Sequence, residues 1–209
     1  GFNNLKAKII NLNKRHIELK VISEGWFESN KGVHISNRFV KLNYITKKDI
    51  EAIKIAKEFN IRNYALSFTN SVEDIKNFKN ILKNYNQIYK IETNKAIKNI
   101  SKIISSGKEF LIDRGDLSKE TSIENIPLIQ RKIFKTSNKF KNKKIYVATN
   151  LLESMIDNNY PTRGEANDIF NSLEMGAAGL VLAAETAIGK YPENAVVFLK
   201  KMIKTFKKS

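Results

Sequence analysis

Between residues 6 and 21 apolar and polar residues alternate through KAKIINLNKRHIELKV, with an Asn-Lys pair at Asn13. A period of two belongs to a half-covered strand and the pair supplies a turn, so this segment predicts a hairpin or two strands of a small sheet. Further on the period changes. Thr46 precedes a helical spacing through Ile50, Ile53 and Ile55, and the short apolar run 64–68 follows. A hydroxyl residue ahead of a helical stripe is a capping signal, so a helix and then a strand are predicted. The alternation continues: Ser71 caps a helix through Ile75, Phe78 and Leu82, then come a β run at 87–92 and a helix at 94–105. The later runs predict strands at 110–113, 144–149 and 179–184 and helices at 126–140, 164–175 and 193–206. Five strand-and-helix units after one leading helix imply a parallel sheet, because parallel neighbours need a crossover connection between them. Periodicity does not choose between an open doubly wound sheet and part of a barrel.

Composition narrows the class. In 209 residues, hydrophobic residues make up 42% and aromatic residues 10%, enough to bury a sizeable core. No apolar run approaches the roughly 20 residues that span a bilayer, and the opening GFNNLKAKII lacks a signal-peptide pattern, so no membrane partner is expected. The absence of cysteine excludes a disulfide framework, a thiolate metal site and a cysteine nucleophile, and it fits a cytoplasmic location. The net charge of +16 would attract polyanions. Its distribution argues against nucleic acid, since lysines are spread through every segment beside asparagine and isoleucine and no nucleic-acid-binding signature is present. A phosphorylated anionic substrate would still gain from such a field.

Chemistry-bearing residues gather at the C-terminal ends of the predicted strands: Ser67 and Phe68, Lys90 and Glu92, Arg114, Gly115 and Asp116, Thr149, and Glu185 with Thr186. In α/β barrels that face carries the active site. Lys90 and Glu92 are two residues apart in a strand and therefore share a face. Glu92 and Asp116, on adjacent strands, can hold one Mg²⁺, which favours oxygen ligands, and the lysine would offset charge on a phosphoryl group or an enolate. His16 and His34 have no metal-like spacing. Glu153, Arg163, Glu165 and Asp168 are of the kind that fixes loops and helix starts.

The segments NKGVHIS, ALSFTNSVEDI, KIETNKAIKNI, DRGDLSKE, VATNLLESMIDNNYPTRGEANDI and AAETAIGKYPENAV occur here in one order. In that order and spacing the chain resembles the pyruvate kinases, from about residue 30 onward and more weakly before it. The resemblance implies a TIM-type (β/α)₈ barrel of which strands 4 to 8 are present, with 1–32 as the end of an inserted small β domain and 33–209 as the later part of the catalytic barrel. The regulatory C-terminal domain is expected to be absent. The resemblance also implies phosphoryl transfer from phosphoenolpyruvate to ADP, giving pyruvate and ATP. Lys90 is then the catalytic lysine, and Glu92 and Asp116 are the ligands of Mg²⁺ or Mn²⁺. Thr149 assists enolate protonation and holds the substrate carboxylate together with the amides of Gly115 and Asp116. Arg114 and Ser67 border the substrate and Lys31 the nucleotide. K⁺ is expected through residues outside this chain, and a homo-oligomer or a completing chain as partner.

The chain departs from the family pattern in places. Asp113 stands where ARGDLG would put alanine, Asn150 replaces the glutamine of ATQ, AAETA replaces SGETA, and Asn70 replaces an arginine. Asp113 matters most, because another carboxylate beside the metal site alters its charge. Two further roles are open at this level: Mg²⁺-enolate lyase or aldolase chemistry on a pyruvate-like substrate, and non-catalytic binding.

Overall fold

The computed structural model describes residues 5–25, 33, 35 and 45–209. Lys31, His34 and the expected boundary after residue 32 lie outside the described residues. The chain divides into two compact units, Gly1–Val40 and Lys41–Ser209. In the first, strand β1 (Ala7–Leu12) pairs antiparallel with β2 (Ile17–Val21), Ala7 opposite Val21, as the alternation predicts. The turn is held by the Asn13 side chain, whose Oδ1 accepts from the amides of Arg15 at 3.0 Å and His16 at 2.9 Å. Asparagine suits this place because its short side chain can bond the backbone of its own turn.

The second unit starts with α1 (Lys47–Glu58), which Thr46 and Asp49 close as a reciprocal capping box. A five-stranded parallel sheet follows, in sequence order β3 (Asn63–Leu66), β4 (Asn86–Ile91), β5 (Glu109–Asp113), β6 (Lys144–Ala148) and β7 (Gly179–Val181). Between them run α2 (Val72–Leu82), the pair α3 (Asn94–Lys98) and α4 (Ile100–Ser106), α5 (Arg114–Glu120), α6 (Ile126–Ser137) and α7 (Arg163–Glu174). After β7 come the short α8 (Ala184–Ala187) and α9 (Pro192–Phe206).

Which face is covered decides the architecture. Leu66, Tyr89, Ile91, Phe110, Ile112, Ile145 and Val147 alternate along their strands and are buried, whereas Ile88, Lys90, Leu111 and Tyr146 between them are only partly covered. On the buried side the helices touch in chain order, α2 against α4, α4 against α6 and α7 against α9. A bond from Gln130 Nε2 to Ser172 Oγ at 3.2 Å links α6 to α7. A doubly wound sheet would place helices on both faces, while a barrel places them all outside. This unit is therefore an open portion of a TIM-type barrel, with Lys90 on the inward face.

Three local expectations are corrected. The helix expected over 94–105 is broken at Asn99, which ends α3 and begins α4. The Asn99 side chain donates to the carbonyl of Asn70 at 3.0 Å, a long-range bond that competes with helical continuity. The helix expected to 140 ends at Ser137, whose hydroxyl donates to the carbonyl of Phe134 at 2.9 Å. The strand expected over 179–184 ends at Val181, because the Glu185 carboxylate draws in the Ala183 amide at 2.9 Å and starts α8.

Candidate active site

Lys90 and Glu92 come to one place for the local reason the sequence implied. Tyr89 and Ile91 point to the helices, Tyr89 packing against the rings of Phe78 and Phe110 at 6.2 and 5.9 Å between centroids, so Lys90 must point the other way. Its ammonium lies 2.6 Å from Glu92 Oε1 and 3.0 Å from Asp113 Oδ2. Glu92 is 1% exposed, and its other oxygen accepts from the Phe68 amide. Oε1 receives no well-directed hydrogen bond among the described residues; the ammonium approaches it obliquely, as an ion pair.

Charge here is unbalanced. Burial pushes the Glu92 carboxyl above its ordinary value, and Lys90 with the Phe68 amide pulls it only part of the way back, while Asp113 adds to the rise. For Lys90, burial acts downward, but its close pairing with Glu92 and Asp113 outweighs it and holds the ammonium above its usual value. One cation thus serves two buried carboxylates. Asp116 adds a third: Glu92, Asp113 and Asp116 each offer an oxygen, and these lie within 4.8 Å of one another. Asp116 is also paired with Lys119 one turn along α5, at 2.5 Å.

Thr149 closes the group. Its hydroxyl accepts from the Gly115 amide at 2.7 Å and lies 3.3 Å from Asp113 Oδ1. Thr149 and Asn150 both have positive φ, 67° and 54°. A β-branched residue in that region is a genuine outlier, and such strain collects at functional sites. The Arg114 guanidinium holds it in place, donating to the Thr149 carbonyl from Nε at 3.1 Å and from a terminal nitrogen at 2.7 Å while pairing with Asp168 at 2.6 Å. A Cβ added to Gly115 would meet the Thr149 hydroxyl at 3.4 Å, an ordinary contact, so Gly115 serves this group through its amide.

The structure therefore brings together Lys90, Glu92, Asp116, Thr149, Gly115 and Arg114. Ser67 lies exposed just past β3, level with Lys90 by the register that pairs Leu66 with Tyr89. Asp113, which the sequence marked as a departure from the family pattern, is a full member of the carboxylate group. The period of two places residues 109, 111 and 113 on one face of β5, and the pairing of β5 with β4 brings that face to Lys90.

Comparison with known proteins meets this geometry. The model of the pyruvate kinase barrel domain matches residues 1–196. The chain belongs to the pyruvate kinase barrel-domain family. It is 36% identical over 205 residues to the pyruvate kinase of Thermotoga maritima, covering 96% of this chain and 44% of that protein. Against the pyruvate kinase of Methanocaldococcus jannaschii the identity is 36% over 214 residues, covering 95% of this chain and 48% of the other. The chloroplastic pyruvate kinase isozyme G of Nicotiana tabacum is 37% identical over 184 residues, 86% of this chain and 33% of its own. The chain thus spans less than half the length of these pyruvate kinases. Among the described residues no helix is long and apolar enough to cross a membrane.

Proposed function

We propose that this chain supplies the phosphoryl-transfer face of a pyruvate kinase, which moves phosphoryl from phosphoenolpyruvate to ADP in the cytoplasm. The observation that supports it best is the Lys90 ammonium set 2.6 and 3.0 Å from two carboxylates on the inward face of a barrel of this family. The donor set fits a divalent cation. All three side chains are hard carboxylate oxygens, which suit Mg²⁺ or Mn²⁺, and Glu92 Oε1 is buried without a directed partner. Glu92 and Asp116 would hold the ion. When bound it supplies charge neutralisation at phosphoryl and enolate oxygens.

The chain's own residues do the rest. As the terminal phosphate oxygen of ADP bonds to phosphorus, the bond from phosphorus to the enol oxygen breaks and leaves an enolate. Lys90, kept charged by its two carboxylates, stands where it offsets that growing negative charge. The amides of Gly115 and Asp116 open α5 and would receive the substrate carboxylate. At present the Gly115 amide donates to the Thr149 hydroxyl and the Asp116 amide to Asp113 Oδ1, so an arriving carboxylate displaces both acceptors, while the Thr149 hydroxyl keeps its own bond to the Ala148 carbonyl at 2.6 Å. Thr149 is then placed to assist delivery of a proton to the enolate carbon, giving pyruvate. Arg114 contributes by fixing the Thr149 carbonyl and the strained backbone around it. Ser67 borders the same face, and Lys31 is assigned to the nucleotide on the family resemblance alone.

The test is turnover by the full-length protein with phosphoenolpyruvate and Mg²⁺, with and without ADP. Pyruvate and ATP rising together, only with ADP and not in Lys90→Met, is the expected result. Pyruvate formed without ADP would replace the kinase with lyase-type enolate chemistry. No turnover, with no Mn²⁺ binding either, would leave a non-catalytic member of the family.

A further inference from the structure

Beyond Leu66 the pairing of β3 with β4 slips by one residue. In a parallel ladder the donors of a strand recur at every second residue. The Asn86 amide bonds the Arg62 carbonyl at 2.9 Å and Leu66 lies opposite Tyr89, so regular continuation would give the Lys90 carbonyl to the Phe68 amide. The Thr69 amide takes it instead, at 3.2 Å. Phe68 is thus an inserted residue, with φ at 52°, and its freed amide turns to Glu92 Oε2. One extra residue in the left-handed region is a way for a strand to re-aim a group beside a site. The conformation is uncommon for a residue with a side chain, and burial of the ring does not impose it, since Phe68 is 53% exposed. The backbone around it does: Thr69 is fully buried and its hydroxyl donates to the Leu66 carbonyl at 3.1 Å, closing the turn. With Glu92 Oε2 taken by this amide, Oε1 is the oxygen that faces Lys90 and has no directed partner.

We propose that Phe68 is a positioning residue for the metal site: its left-handed backbone delivers the amide that fixes Glu92 Oε2, so that Oε1 is presented to a divalent cation. The proposal rests on the metal reading given above. It assigns the role to the backbone of Phe68 and not to its ring. Side chains should therefore be tolerated in the order in which they accept a positive φ, glycine and asparagine readily and β-branched valine hardly at all.

The experiment titrates Mn²⁺, read by electron paramagnetic resonance, into the full-length protein and its Phe68→Gly, Phe68→Asn and Phe68→Val variants. Glycine and asparagine should keep the affinity within about 3-fold, and valine should lower it by more than about 10-fold, the range usual for lost support of a metal ligand. A fourth variant replaces Phe68 by the α-hydroxy acid with the same ring, introduced by nonsense suppression, which removes only the N–H. It should also lose more than about 10-fold, and it decides the matter if Phe68→Val does not fold. Equal losses in the glycine, asparagine and valine variants would move the role to the ring and overturn the proposal. Unchanged affinity in the hydroxy-acid variant overturns it as well, because the amide then does nothing for Glu92. If Mn²⁺ binding is unchanged in Glu92→Gln, the metal reading itself fails and takes this proposal with it.

Discussion

Two glutamates, Glu92 after β4 and Glu185 after β7, are each 1% exposed at the same edge of the sheet, yet they are satisfied in opposite ways. Glu185 accepts the Leu152 amide at 3.2 Å on one oxygen and the Ala183 amide at 2.9 Å on the other, so it stitches two loops together. Glu92 accepts one amide, from Phe68, and turns its second oxygen towards Lys90 in the company of Asp113 and Asp116. A buried charge is costly unless its lone pairs are used. Glu185 is fully used by backbone and reads as architecture. Glu92 keeps an oxygen in reserve and shares its cation, which is the arrangement a site needs if something else is to complete it.

The sharpest way to break this contrast is at the shared cation. Lys90→Met should lower kcat by about 10²- to 10³-fold, the scale of losing one preorganised group facing developing charge. Its unfolding midpoint should fall as well, because Glu92 and Asp113 lose their shared cation; that loss with kcat intact would make Lys90 an architectural ion pair. Next, Glu92→Gln should weaken Mn²⁺ binding by more than about 10-fold in a paramagnetic titration. The same titration on Glu185→Gln should give the unsubstituted affinity.

Stability should respond in the reverse sense. In Glu185→Gln an amide NH₂ must face a backbone N–H, so denaturant unfolding should show a loss of about 1–3 kcal/mol. An equal loss in Glu92→Gln would erase the distinction between the two glutamates.

The smallest effect concerns a third carboxylate, Glu165. Burial acts to raise its pKa, but bonds from Ser154 and Thr162 outweigh burial and hold it below its ordinary value of 4.5. A depressed folded value means stabilisation that is complete above the unfolded value and is lost as pH falls through the folded one. The stability gap between the unsubstituted protein and Glu165→Gln should therefore hold down to about pH 4.5 and close below it. A thermal-unfolding series across that range checks this, and a gap that widens in acid would remove Glu165 from the architectural class.

Much of this molecule was legible because the relevant physics is local. The hairpin follows from alternation and an asparagine turn. Five strand-and-helix units follow from the switch between periods of two and 3.6, and the caps at Thr46 and Ser71 from hydroxyls ahead of apolar stripes. Lys90 and Glu92 could be placed on one face because residues two apart in a strand always are.

What only the tertiary structure decided depends on partners distant in the chain. The choice of barrel over doubly wound sheet needed the helices to be seen in contact on one face. The break at Asn99 comes from the Asn70 carbonyl, and the early end of β7 from the carboxylate of Glu185 drawing in the Ala183 amide. Arg114 could be named from its motif, but its grip on Thr149 and Asp168 spans 35 and 54 residues. The sequence alone determined which residues carry charge and on which side of each strand they stand. How many carboxylates share one lysine was settled by strand register, which pairs β4 with β5 and sets Asp113 beside Lys90 through contacts that no local pattern encodes.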